Sequence, residues 1–298
     1  MKLGAMFLPA HPVQRLPSFA ERVDELGFDE LWLAEDCFAH GGISAAAIAL
    51  GRMQRAAVGI GLLPVPLRSP ALAAMELGTL ATVYPERVRV AFGHGVESWM
   101  RQLGARPRNR ITALREVADV VARLTRGEVV NHDGELHLDG VGLDRAPAAP
   151  PELLIGSTGR QALHVAAELG MGLLMPEGTG AEAIRWARET LNARASLTIY
   201  CWLSIGEDEA SAADALLPTV RRWREWNLYP RLYELAGLPS AERLTTDHVG
   251  RVAVIGTARQ CAAQLCSLHA AGADTIVLQP LGDDPLGALE RVRRAVGR

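Results

Sequence analysis

The sequence predicts an α/β fold of the closed (β/α)8 TIM barrel class, with insertions after the fourth helix and before the eighth strand. Three observations carry this. Short apolar runs of strand length alternate with longer segments of helical periodicity along the whole chain. Eight such strand-then-helix units can be counted, and 298 residues accommodate them, about 250 being typical of a plain barrel. The 49% hydrophobic content supplies a full core for one domain spanning 1–298. The doubly wound open sheet alternates in the same way but does not need all eight strands.

The units follow in order. KLGAMFL (2–8) is the first strand, and 13–27 its helix, with Phe19, Val23 and Leu26 on one face and Gly27 as a stop. ELWLAE (30–35) is the second strand, followed by an Ala-rich helix at 43–53. AAVGIGLL (56–63) is the third, and 70–84 its helix, with Pro70 suited to the first turn. VRVAFG (88–93) is the fourth, and 110–126 a helix ending at Gly127. LLIG (153–156) precedes the helix 160–169, GLLMP (172–176) precedes 181–194, and LTIYCWLSI (197–205) precedes further helical segments. TIVLQP (275–280) is the eighth strand and 285–296 the last helix. Residues 127–150 exceed a plain barrel and contain Asp133-Gly134, a good hairpin turn. So does 217–250, where Trp223, Trp226, Tyr229 and Tyr233 suggest a lid or simply a packed segment.

Composition excludes several functions. The net charge of −3, without a basic stripe, argues against nucleic acid and against a membrane surface. No apolar run reaches the roughly 18 residues of a membrane span, and no leader is expected, so a cytoplasmic location is the default. Lys2 is the only lysine among 31 basic residues. A Walker A loop, a Schiff-base lysine and a Ser-x-x-Lys site are therefore absent. The four cysteines form no Cys-x-x-Cys pair, and the eight histidines show no zinc spacing, so no metal site is expected.

A barrel carries its chemistry at the C-terminal strand ends. There the sequence places His11, then Glu35, Asp36, Cys37 and His40, then GLLPVPLRSP (61–70), then Gly93, His94 and Gly95. The fifth unit contributes Gly156, Ser157, Thr158, Gly159 and Arg160, and the sixth Glu177 and Gly178. The 156–160 loop reads equally as a phosphate cradle, with backbone amides, hydroxyls and one guanidinium, and as an ordinary capped turn. Asp36, Glu35 and His40 are the candidates for proton chemistry; an acidic turn paired with arginine explains the first two as well. Cys37 reads as a small buried hydrophobe.

These loops resemble the luciferase-like monooxygenase superfamily, and within it the coenzyme F420-dependent oxidoreductases related to methylenetetrahydromethanopterin reductase. The resemblance lies in ELGFDELWLAED (25–36), VGIGLLPVPLRSPALAA (58–74), YPERVRVAFGHGVESWMRQLGA (84–105) and PPELLIGSTGRQALHVAAELGMGLLM (150–175), and more loosely in 256–280. It implies a flavin or deazaflavin at the strand ends, with a bulge and a non-prolyl cis peptide at Gly61-Leu62. Gly93, His94 and Gly95 are then near the ring, residues 156–160 at the phosphate, and Glu177 and Gly178 beside them. Many members have a His where this chain has Asp36, which leaves Asp36, His11, His40 or His94 for the proton. The implied function is hydride transfer between coenzyme F420 and a small organic substrate. The alternatives are an FMN-dependent monooxygenase served by a flavin reductase, or a catalytically silent barrel that binds a ligand or partner subunit. A homodimer is implied by the same resemblance.

Overall fold

The computed structural model describes residues 1–297. Its barrel strands are β1 (Lys2–Phe7), β2 (Glu30–Leu33), β3 (Ala57–Pro64), β4 (Val88–Gly93), β7 (Glu152–Gly156), β8 (Gly172–Met175), β9 (Leu197–Ile205) and β11 (Thr275–Pro280). All pair in parallel, and the β8–β9 and β1–β11 pairings close the ring. The eight expected strands are these eight. Two inserted strands, β5 (Val130–Asp133) and β6 (His137–Val141), form an antiparallel hairpin. Its turn takes three residues, 134–136, rather than the tight Asp133-Gly134 turn expected from sequence. A ninth parallel strand, β10 (Ala253–Gly256), was not anticipated; it pairs with the upper half of β9 beyond the reach of β8.

The helices are α1 (Leu16–Glu25), α2 (Gly42–Leu50), α3 (Pro70–Val83), α4 (Glu97–Gln102), α5 (Arg110–Thr125), α6 (Arg160–Leu169), α7 (Ala181–Thr190), α8 (Glu209–Trp226), α9 (Pro230–Leu235), α10 (Ala258–Ala270) and α11 (Pro285–Val296). Four of the eleven starts have a side-chain cap. The Asn109 side chain accepts from Ile111 and Thr112 N–H, and Asp208 and Thr257 form capping boxes with Ser211 and Gln260. The insertion between β9 and β11 packs its own small core, in which Trp202, Leu216, Val220, Tyr233 and Val249 are buried.

The barrel interior fixes the floor of the mouth. Period-two alternation turns Met6, Trp32, Ala34, Ala91, Leu154, Leu174, Tyr200 and Val277 inward. Trp32 and Tyr200 meet edge to face at 5.7 Å. They fit because β3 contributes glycine: a Cβ on Gly59 would lie 2.3 Å from the Trp32 ring, and one on Gly61 2.0 Å from the Tyr200 hydroxyl. Below them Glu30 accepts from Trp32 Nε1 at 2.7 Å and pairs with Arg89 at 2.9 Å, and Arg89 also reaches Glu152 at 3.1 Å. This ionic layer closes the N-terminal end, where it reads as stability rather than catalysis.

Candidate active site

The mouth is built on the end of β3. The β3–β4 register shifts between Gly61 and Leu63, leaving Leu62 in a bulge, and the Gly61-Leu62 peptide is cis. A second non-prolyl cis peptide joins Cys37 to Phe38. The Tyr200 hydroxyl donates to the Gly61 carbonyl at 3.2 Å. The Leu62 side chain crosses to the neighbouring strand ends: Cβ atoms on Gly93 and Gly156 would lie 2.5 and 2.7 Å from it. Those two glycines therefore make room for Leu62. Gly95, at φ +69°, packs against Met100 and Pro64.

Strand β2 ends in two carboxylates with different fates. Glu35 is engaged on both oxygens. Arg68 Nη1 and Nη2 donate to them, the second at 2.9 Å, and Gly42 N–H donates at 2.8 Å. It clamps the loop after β3 to the start of α2, which is the arginine-paired reading and leaves it poorly placed for proton transfer. Among the described residues Asp36 has no such guanidinium. The residue as a whole is exposed, yet desolvation pushes its pKa up, against the opposing pull of His40.

The histidines divide likewise. His40 lies 5.9 Å from the Phe7 ring, and its buried Nε2 has no partner among the described residues. His11 packs on Phe7 at 5.4 Å, and burial, aided by Arg15, holds its pKa down. Burial, with the charge of Arg110 nearby, lowers His94 to about 4. His94 is thus neutral at pH 7 and can hydrogen-bond but not donate an acid proton.

Glu177 stands out more than its sequence suggested. It sits after β8, 9% exposed, and burial together with the charge of Asp36 raises its pKa to about 7. Gly178, at φ +88°, completes its turn under Trp202 and Tyr233. Tyr200 and Tyr229 share this environment, both with pKa values pushed well up by burial and by Glu177. The signal for Tyr200 was in the strand alternation; Glu177 had none beyond its position.

The 156–160 loop forms the rim. The Ser157 hydroxyl accepts from Gly159 N–H at 3.1 Å. Gly159 is the N-cap of α6 and provides no side-chain cap, so the first amides of this ten-residue helix are open. Arg160 is exposed and makes no ion pair among the described residues. An open helix start, two hydroxyls and an unpaired guanidinium fit a phosphate. The orphaned polar atoms His40 Nε2 and Gln279 Oε1, at the ends of β2 and β11, fit the edge of a polar ring system. Among the described residues no His, Cys, Asp or Glu cluster could hold a metal, and no helix is long and apolar enough to cross a membrane. A cavity of about 330 Å³ lies beside the mouth rather than in it, lined by Gly180, Cys201, Arg251 and Gln264 among others.

The family model for luciferase-like monooxygenases matches residues 1–275. The 5,10-methylenetetrahydromethanopterin reductase of Archaeoglobus fulgidus is 28% identical over 176 residues, covering 59% of this chain and 53% of that protein. The F420-dependent glucose-6-phosphate dehydrogenase of Nakamurella multipartita is 28% identical over 176 residues, 55% of this chain and 52% of that protein. The matched region thus spans about half the length of these curated relatives. Among solved structures, the coenzyme F420 dependent tetrahydromethanopterin reductase of Methanopyrus kandleri superposes with a TM-score of 0.84 at 17% identity, covering 99% of this chain and 98% of that one. The oxygenating constituent of 3,6-diketocamphane monooxygenase from Pseudomonas putida, in complex with FMN, gives 0.79 at 16% identity, covering 99% and 98%.

Proposed function

The chain belongs to the luciferase-like monooxygenase family, and from that premise we propose that it is a single-domain oxidoreductase transferring a hydride between coenzyme F420 and a small organic substrate. The open start of α6 with its unpaired Arg160 carries the reading, because it supplies an anion cradle at the C-terminal rim of the barrel. The relatives named for F420 support the choice of cofactor.

In this reading Ser157, Thr158, Gly159 and Arg160 hold the cofactor phosphate, without any lysine. Gly61 and Leu62 form the floor for the ring, on Tyr200. His94 and Gly95 line its side, with Gly93 and Gly156 placing Leu62. The bound cofactor supplies the redox chemistry by giving or taking a hydride. The protein fixes the faces, excludes water beneath the aromatics of α8 and α9, and exchanges a proton from the mouth, with Asp36 and His40 beside the reacting atoms. Glu35 holds the loops that carry them.

Titration of the purified protein tests this: F420 should bind, and more tightly than FMN. Micromolar binding of FMN without F420 would instead establish the monooxygenase reading with a reductase partner, which the FMN-bound neighbour supports. Failure of both leaves the non-catalytic barrel. Arg160→Ala should weaken the phosphate-bearing cofactor about tenfold or more, as expected for a charge-assisted hydrogen bond. A ring analogue lacking the phosphate should be unaffected; equal losses for both would remove Arg160 from the phosphate site.

We further propose that two copies pair through α2 and α3. The exposed residues there, Ile48, Leu72, Met75 and Val83 with Ser44, Ala47, Thr79 and Thr82, include no charge, so identical faces meet without repulsion. Met75→Glu should convert a dimer to a monomer in sedimentation equilibrium; an unchanged mass would place the interface elsewhere.

A further inference from the structure

We propose that the arginines gathered beyond the end of β4, Arg101, Arg106, Arg108 and Arg110, hold a chain of carboxylates that continues from the cofactor phosphate. The proposal deepens the oxidoreductase reading and rests on its choice of coenzyme F420.

The cluster is built around one acid. Glu97 opens α4, and its carboxylate meets three guanidiniums: Arg106 at 3.0 Å, Arg110 at 3.4 Å and Arg101 at 3.9 Å. Arg101 lies in the last turn of α4 and Arg110 starts α5, so the connection 103–109 brings both helix ends and Arg106 to the same carboxylate. A fourth arginine, Arg108, makes no side-chain ion pair among the described residues. Its backbone N–H donates to Glu135 at 3.3 Å. Four guanidiniums thus meet two carboxylates, in a chain whose net charge is −3. Farther along α5 the arginines are matched: Arg115 pairs with Glu168 of α6 at 3.1 Å, and Arg123 with Asp119 and Glu128. Like charges gathered on a surface repel one another, and a single carboxylate does not offset three guanidiniums. The surplus is a place for further anions.

Position says which anion. All four residues are exposed, and the charge of Arg110 is felt by His94 at the end of β4. The neighbouring strand in the ring is β7, paired in parallel with β4, and its end carries the 156–160 loop with Arg160. A ligand whose phosphate sits on that loop has only to run along the rim to the next strand end to meet the cluster. FMN ends at its phosphate. Coenzyme F420 continues past it into glutamates joined through their side chains, and each unit brings a carboxylate. The planar fork of a guanidinium matches a carboxylate on two bonds. The pairs are open to solvent and each contributes little, so the tail should add about three- to tenfold in affinity. A surplus of so few charges suits a short chain of carboxylates, not a polynucleotide.

Fluorescence titration of the purified protein tests this with two probes: F420 carrying several glutamates, and F420 trimmed back to its phosphate-bearing core. The parent should bind the tailed form about three- to tenfold more tightly. The preference should vanish in about 0.5 M salt, which screens exposed pairs. Arg106→Gln combined with Arg110→Gln should remove it too, with affinity for the trimmed form unchanged, which also shows that the variant is folded. Arg115→Gln makes the same charge change at a matched pair and should leave both affinities as they were. Equal binding of the two forms by the parent overturns the tail site and leaves the F420 reading standing. So does a double variant that loses equally for both forms. A loss of the same size in Arg115→Gln would assign the preference to net charge and overturn the site as well. If neither form binds, the F420 reading fails and the tail site with it.

Discussion

Replacing Gly59 with alanine should lower the free energy of unfolding by about 3 kcal/mol, the upper part of the range for overpacking a rigid core. The new Cβ would lie 2.3, 2.4 and 2.5 Å from three ring atoms of Trp32. Trp32 is fully buried and tethered through Nε1 to Glu30, which is itself held by Arg89. On its other side stands Tyr200, edge on, under the bulge that carries Leu62. The ring cannot retreat without breaking a buried hydrogen bond or lifting the floor of the mouth. Gly78→Ala offers the contrast. It lies inside α3, and its Cβ would make ordinary contacts at 3.5 and 3.6 Å with Leu143 and Pro147. Relief from glycine's backbone entropy should then raise stability by up to about 1 kcal/mol. Equilibrium denaturation in urea measures both. A loss below about 1 kcal/mol for Gly59→Ala would show that Trp32 can slide and that the floor is not fixed.

The glycines mark where sequence reasoning was sound and where it stopped. Alternating strand and helix periodicity places all eight barrel strands within a residue or two, because each strand is buried on both faces and each helix on one. Strand β10 escaped because it is four residues long and pairs only with the protruding half of β9. Helix α4 escaped because six residues give too few turns for a period to show. The glycine-rich strand ends stood out as unusual, but the sequence does not say what fills the space beside a glycine. At Gly61 it is Tyr200, 139 residues away; at Gly93 and Gly156 it is Leu62. The partition between Glu35 and Asp36 was hidden for a similar reason. Which of two adjacent acids meets a guanidinium depends on Arg68, 33 residues on, and on the course of the loop after β3. The loop at 156–160 was legible as an open helix start because its ingredients are local: two glycines, two hydroxyls, an arginine and the first turn of α6. Glu177 was legible only as a strand-end residue, since its burial is made by α9 and β9, distant parts of the chain.

That burial has a thermodynamic consequence independent of any catalysis. Glu177→Gln should make the protein more stable than the parent at pH 8, by about 3 kcal/mol at most, and the difference should vanish near pH 4. In the folded protein Glu177 holds its proton up to about 7, whereas an unfolded chain releases it around 4.5. Between those values the native state binds more protons than the unfolded state, so raising the pH favours unfolding. The stability associated with the neutral carboxyl is complete below 4.5 and is lost as pH rises through 7. Glutamine keeps the shape and the hydrogen-bonding capacity but cannot ionise, so the variant escapes that loss. Asp36 shifts in the same direction, and Asp36→Asn should therefore flatten the same limb of the profile. It should also reduce the benefit of Glu177→Gln, because part of the cost of ionising Glu177 is the charge of Asp36. Urea denaturation of the parent, the two single variants and the double variant at pH 5 and pH 8 measures this coupling directly. A gain from Glu177→Gln that is the same at both pH values would mean that the carboxyl ionises normally. A gain unaffected by Asp36→Asn would mean that burial alone, without the charge of Asp36, sets its protonation.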